Sequence, residues 1–261
     1  MTSVTMAPEA PAAAGSRLAR LHPLTQLGIV GLLALAALLF EWPVGVAVAV
    51  VSFVLAAAAG RAAAFFRVWW KTILVLCLII LVLQTFFIPG ETVVAELGPL
   101  RATQEGLDKG IGFAGRVAGI GSAVLLLTVI LDVHRLVLAL EQRGVNPRVT
   151  YVILATVNII PEMRKRMTVI MDAQRSRGIE TDADVWVRAR AFIPTIGPLI
   201  LTSIVSVEEK ALTLESRGFS IRGPRTSLES LDDPAGERAL RKALIVIAVL
   251  VVVGGVLQWV L

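Results

Sequence analysis

The chain has 261 residues, 56% of them apolar and only 17% charged, against about 25% charged in an ordinary soluble domain. Its mean hydropathy is +0.78. A soluble fold of this length lacks the interior to hide so much apolar surface, and disordered chains are poor in apolar residues, so a polytopic membrane protein is expected. The formal charge of +5 and a pI near 10 fit Lys and Arg gathered on the cytoplasmic side of a bilayer, with no nucleic acid as partner. One cysteine (Cys77) and two histidines (His22, His134) form neither a disulfide framework nor a compact metal site. No cofactor is expected.

In chain order, residues 1–20 are rich in Ala, Pro and Ser and end on Arg17 and Arg20, which reads as a flexible cytoplasmic tail. Basic residues before an apolar run also fit a secretion signal, but similar runs follow without a convincing cleavage site. Apolar runs cover Leu24–Phe40, Val44–Gly60, Thr72–Ile88, about Arg116–Leu131 and Ala243–Leu261. Each is near the ~17–25 residues that cross a bilayer as a helix, and their continuity argues against a barrel. Region 21–131 therefore reads as four spans and 243–261 as a fifth, in an all-α membrane bundle.

Loop charge orients them. Arg61, Arg67 and Lys71 lie between the second and third runs, whereas the loop over 89–115 is mainly acidic. The positive-inside rule places the N-terminus in the cytoplasm and that loop outside. Arg116 sits near a span edge, where it can snorkel. Between Asp132 and Lys242 lie 17 of the 25 Lys and Arg and 14 of the 20 Asp and Glu. A large cytoplasmic or interfacial region, 132–221, followed by a linker at 222–242, is the expected reading.

In that region Val149–Ile160 is too short to cross, and Phe192–Val207 carries Pro194 and Pro198. Long helices at the membrane surface are expected, the alternative being a re-entrant hairpin. There is a repeat: Ile160-Pro161 to Ser176-Arg177-Gly178, and Ile193-Pro194 to Ser216-Arg217-Gly218. Pro suits the first turn of a helix and Gly the position just past its end. Each segment therefore reads as a helix opening at its Pro and stopping at its Arg-Gly, about 25 Å and 36 Å long at 1.5 Å per residue. Met163, Met167, Ile170, Met171 and Gln174 make a stripe on the first, consistent with core packing or with a repacking interface. One Arg at a helix end is ordinary dipole complementation. Two such tips, flanked by Arg175 and Glu215, fit docking to two similar partners, or to two halves of one dimer, through the planar guanidinium fork.

These residues resemble the transmembrane T component of energy-coupling factor transporters, the family that includes the CbiQ-type cobalt-uptake subunit. The resemblance runs from Leu21-His22-Pro23-Leu24-Thr25, through Asn158-Ile159-Ile160-Pro161-Glu162, to Ala173-Gln174-Arg175-Ser176-Arg177-Gly178 and Leu214-Glu215-Ser216-Arg217-Gly218-Phe219. The family's usual Ala before each motif arginine is Ser here. His22 stands for its Asp and Gln26 for its Lys. The resemblance implies a non-catalytic coupling subunit. Arg177 and Arg217 would enter grooves on two cytoplasmic ATP-binding-cassette ATPases, or one fused double ATPase. A membrane S component would bind the cargo, a vitamin or a cobalt or nickel ion. No Gly-rich phosphate loop followed by Lys and Ser/Thr is present. Two other classes stay open at this point: a membrane enzyme on lipid-linked substrates using Asp132, His134 and Arg135, and a self-contained transporter, which would need buried charges along its path.

Overall fold

The structure, a computed structural model, describes residues 18, 21–97, 100–178, 185–221 and 231–260. The predicted tail at 1–20 lies almost wholly outside them, as does the linker up to residue 230. The described residues form helices α1 (Pro23–Leu39), α2 (Trp42–Ala58), α3 (Ala62–Phe87), α4 (Gln104–Ile130), α5 (Val133–Gln142), α6 (Pro147–Ser176), α7 (Val185–Ser216) and α8 (Ala235–Val260). One short antiparallel hairpin, β1 (Val93–Leu97) and β2 (Leu100–Thr103), pairs Val93 with Thr103 and Leu97 with Leu100. The protein is an all-α membrane bundle apart from this hairpin.

Two compact units divide the chain: residues 1–139 with 231–261, and residues 140–230. In the first, α3, α4 and α8 are long and apolar enough to cross a membrane, while α1 and α2 are shorter apolar helices of 17 residues each, at the lower limit for a span. The third and fourth spans begin earlier than their apolar runs. Arg67, Trp69, Trp70 and Lys71 belong to α3, and the first 12 residues of α4 come from the predicted loop. Helices of 26 and 27 residues, about 40 Å at 1.5 Å per residue, outrun a hydrocarbon core of about 30 Å. Arg116 accordingly lies well inside α4, where its Nε donates to the Phe40 carbonyl at 3.4 Å. That carbonyl closes the end of α1, so the charge lies level with the end of a neighbouring apolar helix.

α4 is the centre of this unit, packed on α1, α2 and α3. Its small residues allow the approach. A Cβ on Gly45 of α2 would collide with the Gly115 carbonyl, and one on Gly119 would fall 2.7 Å from both the Ala37 Cβ and the Gly45 carbonyl. Such small-residue seams replace the hydrophobic drive that is missing between helices in lipid. α3 runs antiparallel to α4: Arg61 donates to the Val129 carbonyl at 2.7 Å, Trp69 to Ser122 at 2.8 Å, and Cys77 to the Ala114 carbonyl at 3.4 Å.

α8 packs on α1, and the two are parallel. Thr25 meets Arg241, Gly28 lies by Leu244, and Leu39 lies by Gly255, a constant offset of 216 residues. A polar clasp fixes their starts. Arg241, buried, forks onto both oxygens of Asp233 at 2.6 and 2.7 Å and onto Thr25 at 3.3 Å. Glu237 accepts from the His22 backbone at 2.7 Å and from the Thr25 hydroxyl at 3.4 Å. The His22 Nδ1 accepts from the Leu24 N–H and caps α1. The later part of the predicted 222–242 linker is therefore the first turns of α8 and the carboxylate that anchors them.

Candidate functional site

The second unit carries both arginine tips. α6 has 30 residues and α7 has 32, about 45 and 48 Å. The expectation that Pro161 and Pro194 open these helices is corrected. α6 opens at Asn146-Pro147, where the Asn146 side chain caps the Arg148 N–H, and Pro161 lies inside it. α7 opens at Val185, so Pro194 and Pro198 are also interior. An interior Pro removes one backbone bond and costs about 3 kcal/mol locally, so packing outweighs local preference here.

The helix ends follow the sequence reading. Gly178 and Gly218 have φ of +84° and +72°, backbone that residues with a Cβ rarely adopt. The Gly178 N–H bonds the Arg175 carbonyl at 2.9 Å. The Gly218 N–H bonds Glu215 and the Phe219 N–H bonds Leu214, both at 2.9 Å, which is the full Schellman closure. The arginine before each glycine is exposed. Ser176 turns its hydroxyl back onto the Asp172 carbonyl at 3.1 Å, and Ser216 onto Thr213 at 2.9 Å. Each serine hydroxyl is thus turned back onto its own helix. Arg175 pairs with Asp172 at 3.6 Å, one turn back. Glu215 is exposed beside Arg217.

Contacts along the pair set the relation of the two tips. Tyr151 stacks near Phe219, ring centroids 5.3 Å apart. Glu162 bonds Lys210 at 2.9 Å, the Ser203 hydroxyl lies 3.4 Å from the Met163 sulfur, and Arg166 donates to the Thr202 carbonyl at 2.9 Å and the Ser206 hydroxyl at 2.8 Å. As α6 is followed forward, its partners on α7 run backward. The helices are antiparallel, and the tips stand at opposite ends of the pair. Continuing the same register puts Arg217 opposite residue 153, roughly 24 residues or about 36 Å along α6 from Arg177. The Met stripe is the inward face of α6: Met163, Met167, Ile170 and Met171 are half-buried and Gln174 is buried, while Arg164, Lys165, Thr168 and Val169 are exposed.

Two features escaped the sequence reading. α5 ends in the same closure, with Gly144 at φ +84° and the Val145 N–H on the Leu140 carbonyl at 3.2 Å, leaving Arg143 exposed. The Arg143-Gly144 pair was the available signal. Here bulky Gln142 stands where the other tips have Ser, and simple capping accounts for it. The other feature is the Glu162, Arg166 and Lys210 network, whose members lie 48 residues apart at the extremes and carry no local signature. Asp132 accepts from the His134 N–H at 2.9 Å and caps α5. That gives the Asp132 carboxylate a structural task. Among the described residues no group of His, Cys, Asp or Glu could hold a metal ion.

The comparisons with known proteins decide the family. The family model described as CbiQ, cobalt transport protein, matches residues 14–228. The chain belongs to the CbiQ family of cobalt transport proteins. It is similar to the energy-coupling factor transporter transmembrane protein EcfT of Listeria innocua, 30% identical over 59% of this chain and 62% of that protein. It is also similar to the EcfT proteins of Lacticaseibacillus paracasei, 29% identical over 64% of this chain and 67% of that one, and of Leuconostoc gelidum, 29% identical over 69% and 72%. The match thus spans somewhat under two thirds of the length of the Listeria relative. The family match and these relatives together support a T-type transmembrane component of energy-coupling factor transporters.

Proposed function

We propose that this T component couples ATP hydrolysis by partner subunits to cargo uptake. Arg177 and Arg217 each enter a groove on one of two ATP-binding-cassette ATPases, or on the two halves of a fused one. Ser176, Gly178, Ser216 and Gly218 shape the two tips, with Arg175 and Glu215 beside them. A membrane S component binds the cargo, a vitamin or a cobalt or nickel ion, and receives the motion through α6 and α7. The observation that carries this reading is the pair of exposed, Ser-flanked, Gly-closed arginines at opposite ends of one antiparallel helix pair. Two like sockets approaching or separating would push such a pair at both ends.

The parallel α1 and α8 support the proposed topology. Both start on one side of the membrane, as they must if four crossings precede a cytoplasmic insert and α8 is the fifth. Arg61, Arg67 and Lys71 at the start of α3 support a cytoplasmic placement for that side and for the N-terminus. Expression of this chain with its ATPases and S component, followed by uptake in proteoliposomes, tests the reading. ATP-dependent accumulation that needs all the components is the expected result. Transport by this chain without ATPases would instead make it a self-contained transporter.

A further inference from the structure

We infer that Glu162, Arg166 and Lys210 form a clamp that joins the two tip-bearing halves of α6 and α7 into one lever, with flexion at the prolines just before it. This rests on the coupling reading above and concerns how motion passes between the tips.

Each helix has its weakest backbone point immediately upstream of the clamp. Pro161 cannot donate to the Val157 carbonyl, and Pro198 cannot donate to the Pro194 carbonyl. Glu162 follows Pro161 directly. Thr202 and Ser206 follow Pro198 by one and two turns. In the antiparallel pair the downstream half of α6, which ends at Arg177, overlaps the downstream half of α7, which ends at Arg217. The polar bonds fall in that overlap. Arg166 reaches Glu162 on its own helix and both the Thr202 carbonyl and the Ser206 hydroxyl on the other. Glu162 also takes the Lys210 ammonium at 2.9 Å. Every bond is charge-assisted, the stronger class. The carboxyl of Glu162 is held below its ordinary range, chiefly by the hydrogen bonds from Lys210 and then Arg166, so it remains an anion near neutral pH.

The mechanical consequence is specific. A weak contact such as the Ser203 hydroxyl on the Met163 sulfur would let the helices slide, because Met repacks easily. A guanidinium on α6 bonded at two oxygens of α7, the Thr202 carbonyl and the Ser206 hydroxyl, opposes sliding and rotation. The two tips then move together, and the upstream halves bend away at Pro161 and Pro198. Arg166, Glu162 and Lys210 are positioning residues in this scheme, since none is at a tip.

Paired spin labels test the clamp without any ATPase. Ala173→Cys and Leu212→Cys are placed on the two downstream halves of the full chain, in a Cys77→Ser background in lipid nanodiscs. A single narrow distance distribution is expected, broadening clearly in Lys210→Met with Arg166→Met. Lys210→Met alone, at an exposed position, guards against misfolding and should broaden it partly. Glu162→Lys with Lys210→Glu should narrow it again, because the exchange restores opposite charges across the same gap and brings the carboxylate, now carried by α7, within reach of Arg166. An unchanged distribution in the Arg166→Met, Lys210→Met double variant would overturn the clamp. In the assembled importer the same double variant should hydrolyse ATP near the native rate and move several-fold less cargo per ATP. Loss of hydrolysis and transport in equal proportion would contradict the lever while leaving the docking of Arg177 and Arg217 intact.

Discussion

Tyr151 packs on Phe219 with ring centroids 5.3 Å apart, and so holds the turn that follows Arg217 against the start of the helix that ends at Arg177. This contact places the second arginine. An aromatic pair contributes about 0.5–1.5 kcal/mol beyond area burial. Tyr151→Leu should therefore weaken ATPase binding about twofold to tenfold without unfolding the chain. Titration of the purified ATPase against the variant in nanodiscs measures it.

The two closing glycines give a local prediction. Gly178→Ala and Gly218→Ala put a Cβ into left-handed backbone, at about 1–2 kcal/mol each. The last helical turn should fray in each case, with faster amide exchange at Gly178 or at Gly218 and Phe219 and no change in α4. Unaltered exchange at those amides would show that the turns owe nothing to glycine.

Packing around α4 predicts a sharp contrast between two glycines of one helix. Gly119→Leu forces α4 away from Ala37 and Gly45 and should cost at least about 1–3 kcal/mol. Gly112→Leu meets open space and should be neutral or slightly stabilising through helix propensity. Thermal unfolding in one detergent compares them directly.

The clasp between α1 and α8 predicts a pH profile. Arg241 donates to Asp233 and holds its carboxyl below the ordinary value, with the Arg241 and Arg238 charges adding to the effect. A lowered folded-state pKa gives stability that is complete above the unfolded value, near 4, and is lost as pH falls through the folded one. Stability should thus be flat in this respect from about pH 5 to 8 and decline only in acid. Arg241→Met should remove that acid-dependent component and loosen α8 from α1 at every pH, read as unfolding temperature against pH.

Much of this was legible from residues, and the misses have physical causes. The five apolar runs marked α1–α4 and α8 because lipid demands continuous apolar surface. Gly178 and Gly218 marked two helix ends because few residues tolerate positive φ. Pro161 and Pro194 misled because the first-turn preference is local, whereas a clamp and a ring contact supplied by α7 keep α6 helical through its proline. Arg67, Lys71 and the first turns of α4 were assigned to loops because hydropathy reports where a helix leaves the hydrocarbon and not where it ends. The β1–β2 hairpin is too short for alternation to register. The antiparallel register that separates Arg177 from Arg217 exists only in tertiary contacts.

The central claim is that each arginine tip holds one ATPase. Its most direct measurement is the mass of the complex purified with the native chain, with Arg177→Glu, with Arg217→Glu and with both. The account predicts two ATPase copies for the native chain, weakened or single occupancy for each single reversal, and none for the double. With a fused ATPase it predicts graded loss of affinity to the same end point. A double reversal that still purifies with a full complement of ATPase and sustains uptake would contradict it.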